Sequence, residues 1–417
     1  MDANAARESE SPGIVGVVGG SIGHKSFDRA TWSGSSRFLF TALHRNGDLV
    51  RAFGARPAAV IRYALMTRNY SLDRERWRTQ YYFDPLYRRC LTQAVVNRID
   101  PSDFAHTFLQ IGAMFNLPRH VQGKAICMSY HDSNIVERLQ SRYMPPGVSP
   151  KRIEQAFRYE SELYAQMDRI LTMSEYHRSS FIRHFGLPAG KVVNAGCAPN
   201  LEHPPEPQAD KRYDNRELLF VGADFQRKGG PLLLRAFRAV LMSYPDARLH
   251  IAGPAALEIP SDLRSSVRFH GFLSKQDPEQ ARTLDALFRR CCLFVLPSYY
   301  EGVGISSLEA MLYELPCVVT GAWGFFDSVI PGVTGDLVEC GSLDSLVSTL
   351  RGCLGDPARL RAMGTAARRL ILERFTWTQV ARRIAAAIPP DRVPAPPPGG
   401  PADSNDNRNK TLHGELK

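Results

Sequence analysis

Two glutamates eight residues apart, Glu301 and Glu309, stand in the segment Pro297–Thr320 (PSYYEGVGISSLEAMLYELPCVVT). The turn Glu301-Gly302-Val303-Gly304 follows the apolar run CLFVLP, and Ile305 leads into a stretch with Leu308, Met311 and Leu312 at helical spacing. Unpaired N–H groups at a helix start favour phosphate or hydroxyl oxygens, and glycines let a ligand approach the backbone. A carboxylate accepts from paired hydroxyls, such as those of a ribose or a hexose. An isolated pair of glutamates at this spacing is ordinarily a cap or a solvated face. The strand, glycine turn and helix around this pair set it apart.

A second constellation lies upstream. Leu219-Phe220-Val221-Gly222 reads as a strand ending in glycine, followed closely by Arg227-Lys228-Gly229-Gly230. Two cations on a strand-to-helix loop can neutralise a diphosphate as it leaves. Such pairs are common on surfaces, so the pair gains meaning only beside Glu309 on the same unit.

The elements that must position these groups alternate between short apolar runs and helical-length segments, the pattern of α/β architecture with parallel sheets. One series of predicted strands runs through Ile14–Val18, Phe104–Gln110, Lys124–Ser129, Arg169–Thr172 and Val192–Asn194. A second runs through Glu217–Gly222, Arg248–Ala252, Val267–Phe269, Leu293–Leu296 and Cys317–Thr320. The Pro-rich polar stretch 196–216 reads as a linker, residues 1–12 as a disordered start and 389–417 as a disordered tail. The expected domains are therefore 13–195 and 217–372, with a final helix at 373–388. Open α/β sheets bind ligands beyond the carboxyl ends of their strands, which places the chemistry in the cleft between the domains.

Pro297–Val319 resembles the E-x7-E signature of family 4 of the retaining glycosyltransferases, which have the GT-B fold. The family pattern runs approximately P-S-x-x-E-G-F-G-L-x-x-L-E-A-M-A-x-G-x-P-V-V; here Val303 replaces the usual Phe and Glu314 the usual Gly. The resemblance implies two doubly wound Rossmann-like domains facing across a cleft, with Glu309 on the donor ribose and Glu301 on the sugar. FVGADFQRKGG is similar to the family's F-V-G-R-x-x-x-x-K-G, which implies Gly222 at the strand end and Arg227 and Lys228 on the pyrophosphate. Val267–Leu273 (VRFHGFL) resembles its V-x-F-x-G-x-L, implying backbone contacts from His270 and Gly271 to the nucleobase. Trp323-Gly324-Phe325-Phe326-Asp327 replaces the family's Gly-Gly-x-x-Glu and is the weakest match of the domain.

In the first half, Ala125–Asp132 (AICMSYHD) ends in His131-Asp132. A lone strand-end His is more often structural than catalytic. The resemblance nevertheless implies His131 as a sugar contact across the cleft, with Asp132 as a second choice. Thr31-Trp32-Ser33-Gly34 resembles the family's glycine loop after the first strand, so Gly34 is expected to open a helix near the diphosphate and acceptor. The resemblance also implies that the final helix, Trp377–Ile388, returns to the first domain. No cofactor and no metal are expected, because no metal-ligand cluster is evident and cations would neutralise the leaving group. Gly19–Ser26 fails as a P-loop, since His24 separates Gly23 from Lys25.

The net charge of +10 is uneven: residues 1–200 hold 26 Lys and Arg against 17 Asp and Glu, and 22 of those cations are Arg. Arg68–Arg89 interleaves six arginines with Trp77, Phe83 and four tyrosines, a mixture suited to a lipid headgroup surface or to an amphipathic helix packed on a core. An anionic or membrane-held acceptor is expected. The chain lacks a signal-peptide pattern and its eight cysteines form no CxxC, so a cytoplasmic protein is expected, peripheral on the inner membrane face. The reading is a hexosyltransferase that moves sugar with retention from a GDP- or UDP-sugar to a glycan or lipid-linked saccharide. Its rivals are a GT-B nucleotide-sugar epimerase and a basic nucleic-acid binder. The first would need no acceptor; the second would ignore loss of Glu309.

Overall fold

The computed structural model describes residues 13–19, 34–121, 123–141 and 148–390, apart from the side chains of residues 74, 75, 78 and 79. The loop Thr31–Ser33, the first 12 residues and most of the expected tail lie outside the described residues.

The first sheet contains β1 (Ile14–Gly19), β2 (Leu49–Ala55), β3 (Thr107–Ile111), β4 (Cys127–His131), β5 (Arg169–Thr172) and β6 (Val192–Asn194). Their order is β2-β1-β3-β4-β5-β6. The second contains β7 (Glu217–Val221), β8 (Arg248–Ala252), β9 (Val267–Phe269), β10 (Leu293–Leu296), β11 (Cys317–Thr320) and β12 (Gly335–Val338), in the order β12-β11-β10-β7-β8-β9. Every pairing between these strands is parallel. Strands buried on both faces need side chains for two cores, so apolar residues run continuously through them. In β1, Ile14 and Val18 enter one apolar cluster while Val15 and Val17 enter another.

Two strands escaped the sequence reading, β2 and β12, and both are edges. Arg51 breaks the apolar run of β2, and its guanidinium pairs with the buried Asp103. At β12, a Cβ on Gly335 would lie 2.0 Å from the Cys317 carbonyl oxygen, so this short strand must begin with the residue that usually signals a turn. Strand β3 begins later than expected, because Pro101–Ala105 forms a capped 3-10 turn that contains Phe104.

Each sheet reverses its order once. In the second, β7, β8 and β9 extend one way before β10 returns to the other side of β7. The loops after β7 and β10 therefore diverge from adjacent strand ends and leave a crevice. Arg227 and Lys228 stand on the first loop and Glu301 on the second.

The stretch 196–216 is not a slack tether. Cys197 and Ala198 are buried, and the Tyr130 hydroxyl donates to the Gly196 carbonyl at 2.6 Å. The last described helix, Trp377–Ala386, packs against the helix Ser35–Arg45 of the first domain. Trp377 stacks on Phe38 at 6.4 Å and donates from Nε1 to the Pro199 carbonyl at 3.0 Å. Val380, Ala381 and Ile384 continue the same buried face. Trp377→Ala should therefore cost about 3–5 kcal/mol of stability. Trp377→Phe keeps a ring but loses the Pro199 bond, at a cost of about 1 kcal/mol. Urea unfolding of the two variants beside the wild type checks both figures.

Candidate functional site

The crevice between the β7 and β10 loops is drawn tight by backbone contacts. The Tyr299 amide donates to the Arg227 carbonyl at 2.9 Å, and Arg227 Nη1 donates to the Tyr300 carbonyl at 2.7 Å. Gly229 adopts φ 74° and passes so close to the Pro297 carbonyl that a Cβ would lie 2.0 Å from its oxygen. Any side chain there would push the two loops apart.

Across this crevice the Glu301 carboxylate meets both cations. Its Oε2 lies 2.9 Å from Lys228 Nζ and 3.6 Å from Arg227 Nη1. Lys228 reaches it by running its stem over Gly222, where a Cβ would lie 2.2 Å from Lys228 Cδ. Burial pushes the Glu301 carboxyl upward, but Lys228 and Arg227 together outweigh it and hold the group below the usual carboxylate range. Arg227 is further fixed by Asp224, 3.1 Å from its Nε.

Gly304, with φ 75°, precedes the helix Ile305–Leu312. Its missing side chain makes room for Phe325, whose ring would lie 2.3 Å from a Cβ. Gly302 is equally confined, since a Cβ there would lie 2.9 Å from the Asp132 carbonyl oxygen of the first domain. Val303 is buried and Ile305 half-buried beside them. Glu309, one turn into the helix, is buried, and its Oε1 pairs with Lys275 Nζ. The same oxygen accepts from the Asn200 amide at 3.3 Å, while Asn200 Nδ2 donates to Ser35 Oγ at 3.1 Å. Gly34, at φ 88°, precedes the helix that begins with Ser35. Gly34 and Glu309 are thus linked through Ser35 and Asn200, although neither Asn200 nor Lys275 carries any signal in the sequence. Asn200 lies in the Pro-rich stretch, and Lys275 stands outside every motif of the sequence.

His131 requires a correction. Its ring packs on Tyr164 at 5.3 Å and Phe181 at 5.1 Å, with only 2% of the residue exposed. Burial, reinforced by His177, pushes the imidazole down to about 3, so it is neutral at ordinary pH. Alternation along β4 turns His131 inward, and the following residue, Asp132, abuts the Gly302 turn instead. His131 is thus buried among aromatic rings, with its Nε2 left without a hydrogen-bond partner.

His270 Nε2 lies 3.0 Å from His250 Nδ1, and its backbone amide donates to the Ile251 carbonyl at 2.9 Å. Gly271, at φ 69°, accepts at its carbonyl from the Gly253 amide at 2.8 Å. Both are held at the carboxyl end of β9, level with the Arg227 loop. Trp323 adopts φ 56°, a strained conformation for a bulky side chain, and meets Tyr300 edge-on at 5.7 Å. This is the position where the family pattern has its first glycine. Asp327 accepts from the Glu175 amide at 2.8 Å and from Asn194 Nδ2 at 3.3 Å, tying the second domain to the first.

Among the described residues, Glu217, His250 and Cys291 bring ligand-type atoms within 4.8 Å of one another. Arg290 already holds the Glu217 carboxylate. Glu217 opens β7, at the end of the sheet away from the cleft.

Two Rossmann-like parallel sheets facing across a cleft, with the cation pair and both glutamates at the second sheet's switch point, define a GT-B fold. Residues 205–370 match the family model for glycosyl transferases group 1. A D-inositol 3-phosphate glycosyltransferase of Rhodococcus jostii is 28% identical over 53% of this chain and 52% of its own length. A glycogen synthase of Mycobacterium tuberculosis is 29% identical over 60% of this chain and 61% of its own. The chain thus spans about half to three-fifths of the curated relatives it matches. A GDP-mannose-dependent α-(1-6)-phosphatidylinositol monomannoside mannosyltransferase of Mycolicibacterium smegmatis is 27% identical over 53% of the chain and 62% of its own length. In three dimensions, sucrose-phosphate synthase from Thermosynechococcus elongatus superposes with a TM-score of 0.66 at 17% identity, covering 90% of this chain and 98% of its own. Anabaena HepE in complex with UDP and glucose superposes at 0.59 and 17% identity, covering 90% and 99%.

Removing one cation from the crevice should expose its role. Lys228→Met is expected to destabilise the protein by about 3 kcal/mol near neutral pH, because it leaves a buried carboxylate with one distant partner. A depressed carboxyl contributes stability above its unfolded value that is lost as pH falls through its folded one. The deficit should therefore close in acid below the usual glutamate range. Urea unfolding across that range checks it; a deficit that persists in acid points to lost packing instead.

Proposed function

We propose that this protein is a retaining glycosyltransferase that uses a nucleotide-diphosphate sugar. The observation that carries the proposal is the Glu301 carboxylate held by Lys228 and Arg227 at the switch crevice, with Glu309 one turn into the helix that follows. A diphosphate entering the crevice takes up the two cations, and its oxygens meet the N–H groups that open the helix Ile305–Leu312. The Glu309 carboxylate, already oriented by Lys275 and Asn200, accepts from the ribose diol. Glu301, freed from part of its ion pairing, accepts from hydroxyls of the transferred sugar.

As the glycosidic bond breaks, negative charge grows on the departing phosphate, where Arg227 and Lys228 stand ready. The acceptor hydroxyl attacks from the same face and gives its proton to that phosphate. No carboxylate is assigned as a covalent nucleophile, and neutralisation by cations leaves the reaction without need of a metal. GDP- and UDP-sugars are the donors proposed, in keeping with the GDP-mannose named for one relative and the UDP bound by HepE. Saturating UDP or GDP should stabilise the protein by roughly 2–4 kcal/mol. Glu309→Ala should lose most of that gain. Thermal unfolding with and without nucleotide checks it, and no response to any nucleoside diphosphate would sink the proposal.

For the acceptor we propose a lipid-linked or otherwise anionic saccharide, met at an anionic membrane surface on the cytoplasmic side. Of the two readings of Arg68–Arg89, its aromatics follow the packed one: Tyr81, Phe83 and Tyr87 are buried, and Trp77 donates to the Met66 carbonyl at 2.9 Å. The exposed apolar groups lie just upstream and around them. Val60, Ile61 and Tyr63 project from the helix Ala59–Arg68, with Tyr70, Leu72 and Leu86 nearby. Beside them a cavity of about 410 Å³ is lined by Arg68, Arg89 and Arg152 with Asp84. Apolar groups interleaved with arginines suit a headgroup surface. No helix among the described residues is long and apolar enough to cross a membrane. Reversing Arg68 and Arg89 to Glu should weaken binding to anionic vesicles at low salt by roughly tenfold or more. Sedimentation with the vesicles checks it; equal binding by wild type and variant would remove this surface from the proposal.

A further inference from the structure

The Glu301–Gly304 turn belongs to the donor domain, yet one of its atoms is held by a side chain from the other domain. His177, in the first turn of the helix Glu175–Phe185, lies with Nε2 2.7 Å from the Gly302 carbonyl oxygen and Nδ1 2.9 Å from Glu137 Oε2. Both side chains of the pair are fully buried. Glu137 is fixed in turn by Asn134, whose Nδ2 donates to Oε1 at 3.1 Å. The Gly302 carbonyl also accepts from the Gly324 amide at 3.2 Å. The turn that carries Glu301 is therefore fastened from the donor side by Gly324 and from the acceptor side by an imidazole.

Both groups facing His177 are acceptors. A carbonyl oxygen cannot donate, and an ionised carboxylate cannot either. With Glu137 ionised, the two hydrogen bonds require both ring nitrogens to carry protons. If that proton leaves, the ring keeps one N–H, the buried carboxylate claims it, and Nε2 presents a lone pair to the Gly302 oxygen. The attraction across the cleft then becomes a repulsion.

The remaining groups around the ring fit this assignment. Asp132 adds negative charge from the end of β4, and Tyr176 stands edge-on at 5.6 Å. On the donor side Asp327 contributes a further carboxyl, and His131 behind the ring stays neutral. Burial pushes the His177 imidazole down, but Glu137, the Gly302 carbonyl and Asp132 outweigh it and hold it above the ordinary histidine range.

We propose that His177 is a positioning residue for the donor site: protonated and backed by Glu137, it latches the Glu301–Gly304 turn to the acceptor domain and releases it when it deprotonates. The sign follows from the geometry. The latch is complete at and below the ordinary histidine range and weakens as pH rises through the raised value. Its consequence for catalysis rests on the donor-site reading above, whereas the state of the turn does not.

The test uses the full chain as wild type, His177→Ala and Glu137→Gln. Hydrogen exchange of peptides covering residues 301–305 is followed from pH 6 to 9, normalised to an unstructured reference peptide. In the wild type, protection of the turn should fall as pH rises. Glu137→Gln supplies an amide that can donate to Nδ1, so a neutral ring keeps its Nε2 proton for Gly302; protection should then stay level across the range. His177→Ala should lose about tenfold in protection at the acid end of the range, the effect of one hydrogen bond to a charged group, and that deficit against the wild type should close as pH rises. UDP and GDP affinities, read by calorimetry on the same proteins, should follow the same three patterns. Should His177→Ala fail to fold, Glu137→Gln still decides the matter. Identical pH profiles for wild type and Glu137→Gln, or unchanged turn exchange in a folded His177→Ala, would overturn the latch. If exchange follows the expected patterns while neither nucleotide binds the wild type, the latch stands and the donor-site reading falls.

Discussion

Two cations on one short loop repel each other, and burying them together is unfavourable unless an anion lies between them. Arg227 and Lys228 satisfy that condition with the Glu301 carboxylate, which burial alone would push upward and the two cations hold below the usual range. This triad sets the design of the donor side. It spans the crevice that the reversal of strand order opens between the loops after β7 and β10, whose strands are neighbours in the sheet. It also requires glycine at 222 and 229, where a side chain would block the lysine stem or the Pro297 carbonyl. The charges that hold the crevice together are the ones the proposed diphosphate would take over, so structural and chemical demands fall on the same residues.

Among the described residues, the first domain meets the site from the opposite side through polar contacts. His177 meets the Gly302 carbonyl, the Glu175 amide and Asn194 meet Asp327, and Asn200 bridges Ser35 to Glu309. Polar contacts of this kind are directional and individually modest, so they fix orientation without welding the domains together. The apolar contribution lies elsewhere. The helix Trp377–Ala386 lays Trp377, Val380 and Ile384 against the first domain, far along the chain from the residues it helps to hold. An apolar helix contact and a polar cleft side divide the work between cohesion and registry.

Much of this was legible in the sequence, for identifiable reasons. Strands buried on both faces leave continuous apolar runs, so ten of the twelve were found; β2 and β12 were missed because an edge strand tolerates Arg51 or an opening glycine. Glu301, Glu309, Arg227 and Lys228 were legible because each sits at a fixed offset from a strand end or a glycine turn. His131 misled for a related reason. It ends a strand, as a catalytic histidine can, but period-two alternation decides which of two neighbouring residues faces the cleft, and here Asp132 does.

What the sequence determined by itself was the local order of strand, turn and helix, since backbone preference and apolar spacing act over a few residues. That order was enough to place the two glutamates and the two cations at the mouths of their loops. Tertiary structure alone decided which of them touch, and it recruited partners with no local signature: Lys275 and Asn200 for Glu309, Glu137 and His177 for the Gly302 turn. Trp323 illustrates the difference. Its identity breaks the expected pattern in the sequence, but its left-handed backbone and its contact with Tyr300 arise only when the β10 and β11 loops are packed together. Such pairings depend on where distant segments meet, and burial gives a lone lysine, asparagine or histidine its role only after that meeting has taken place.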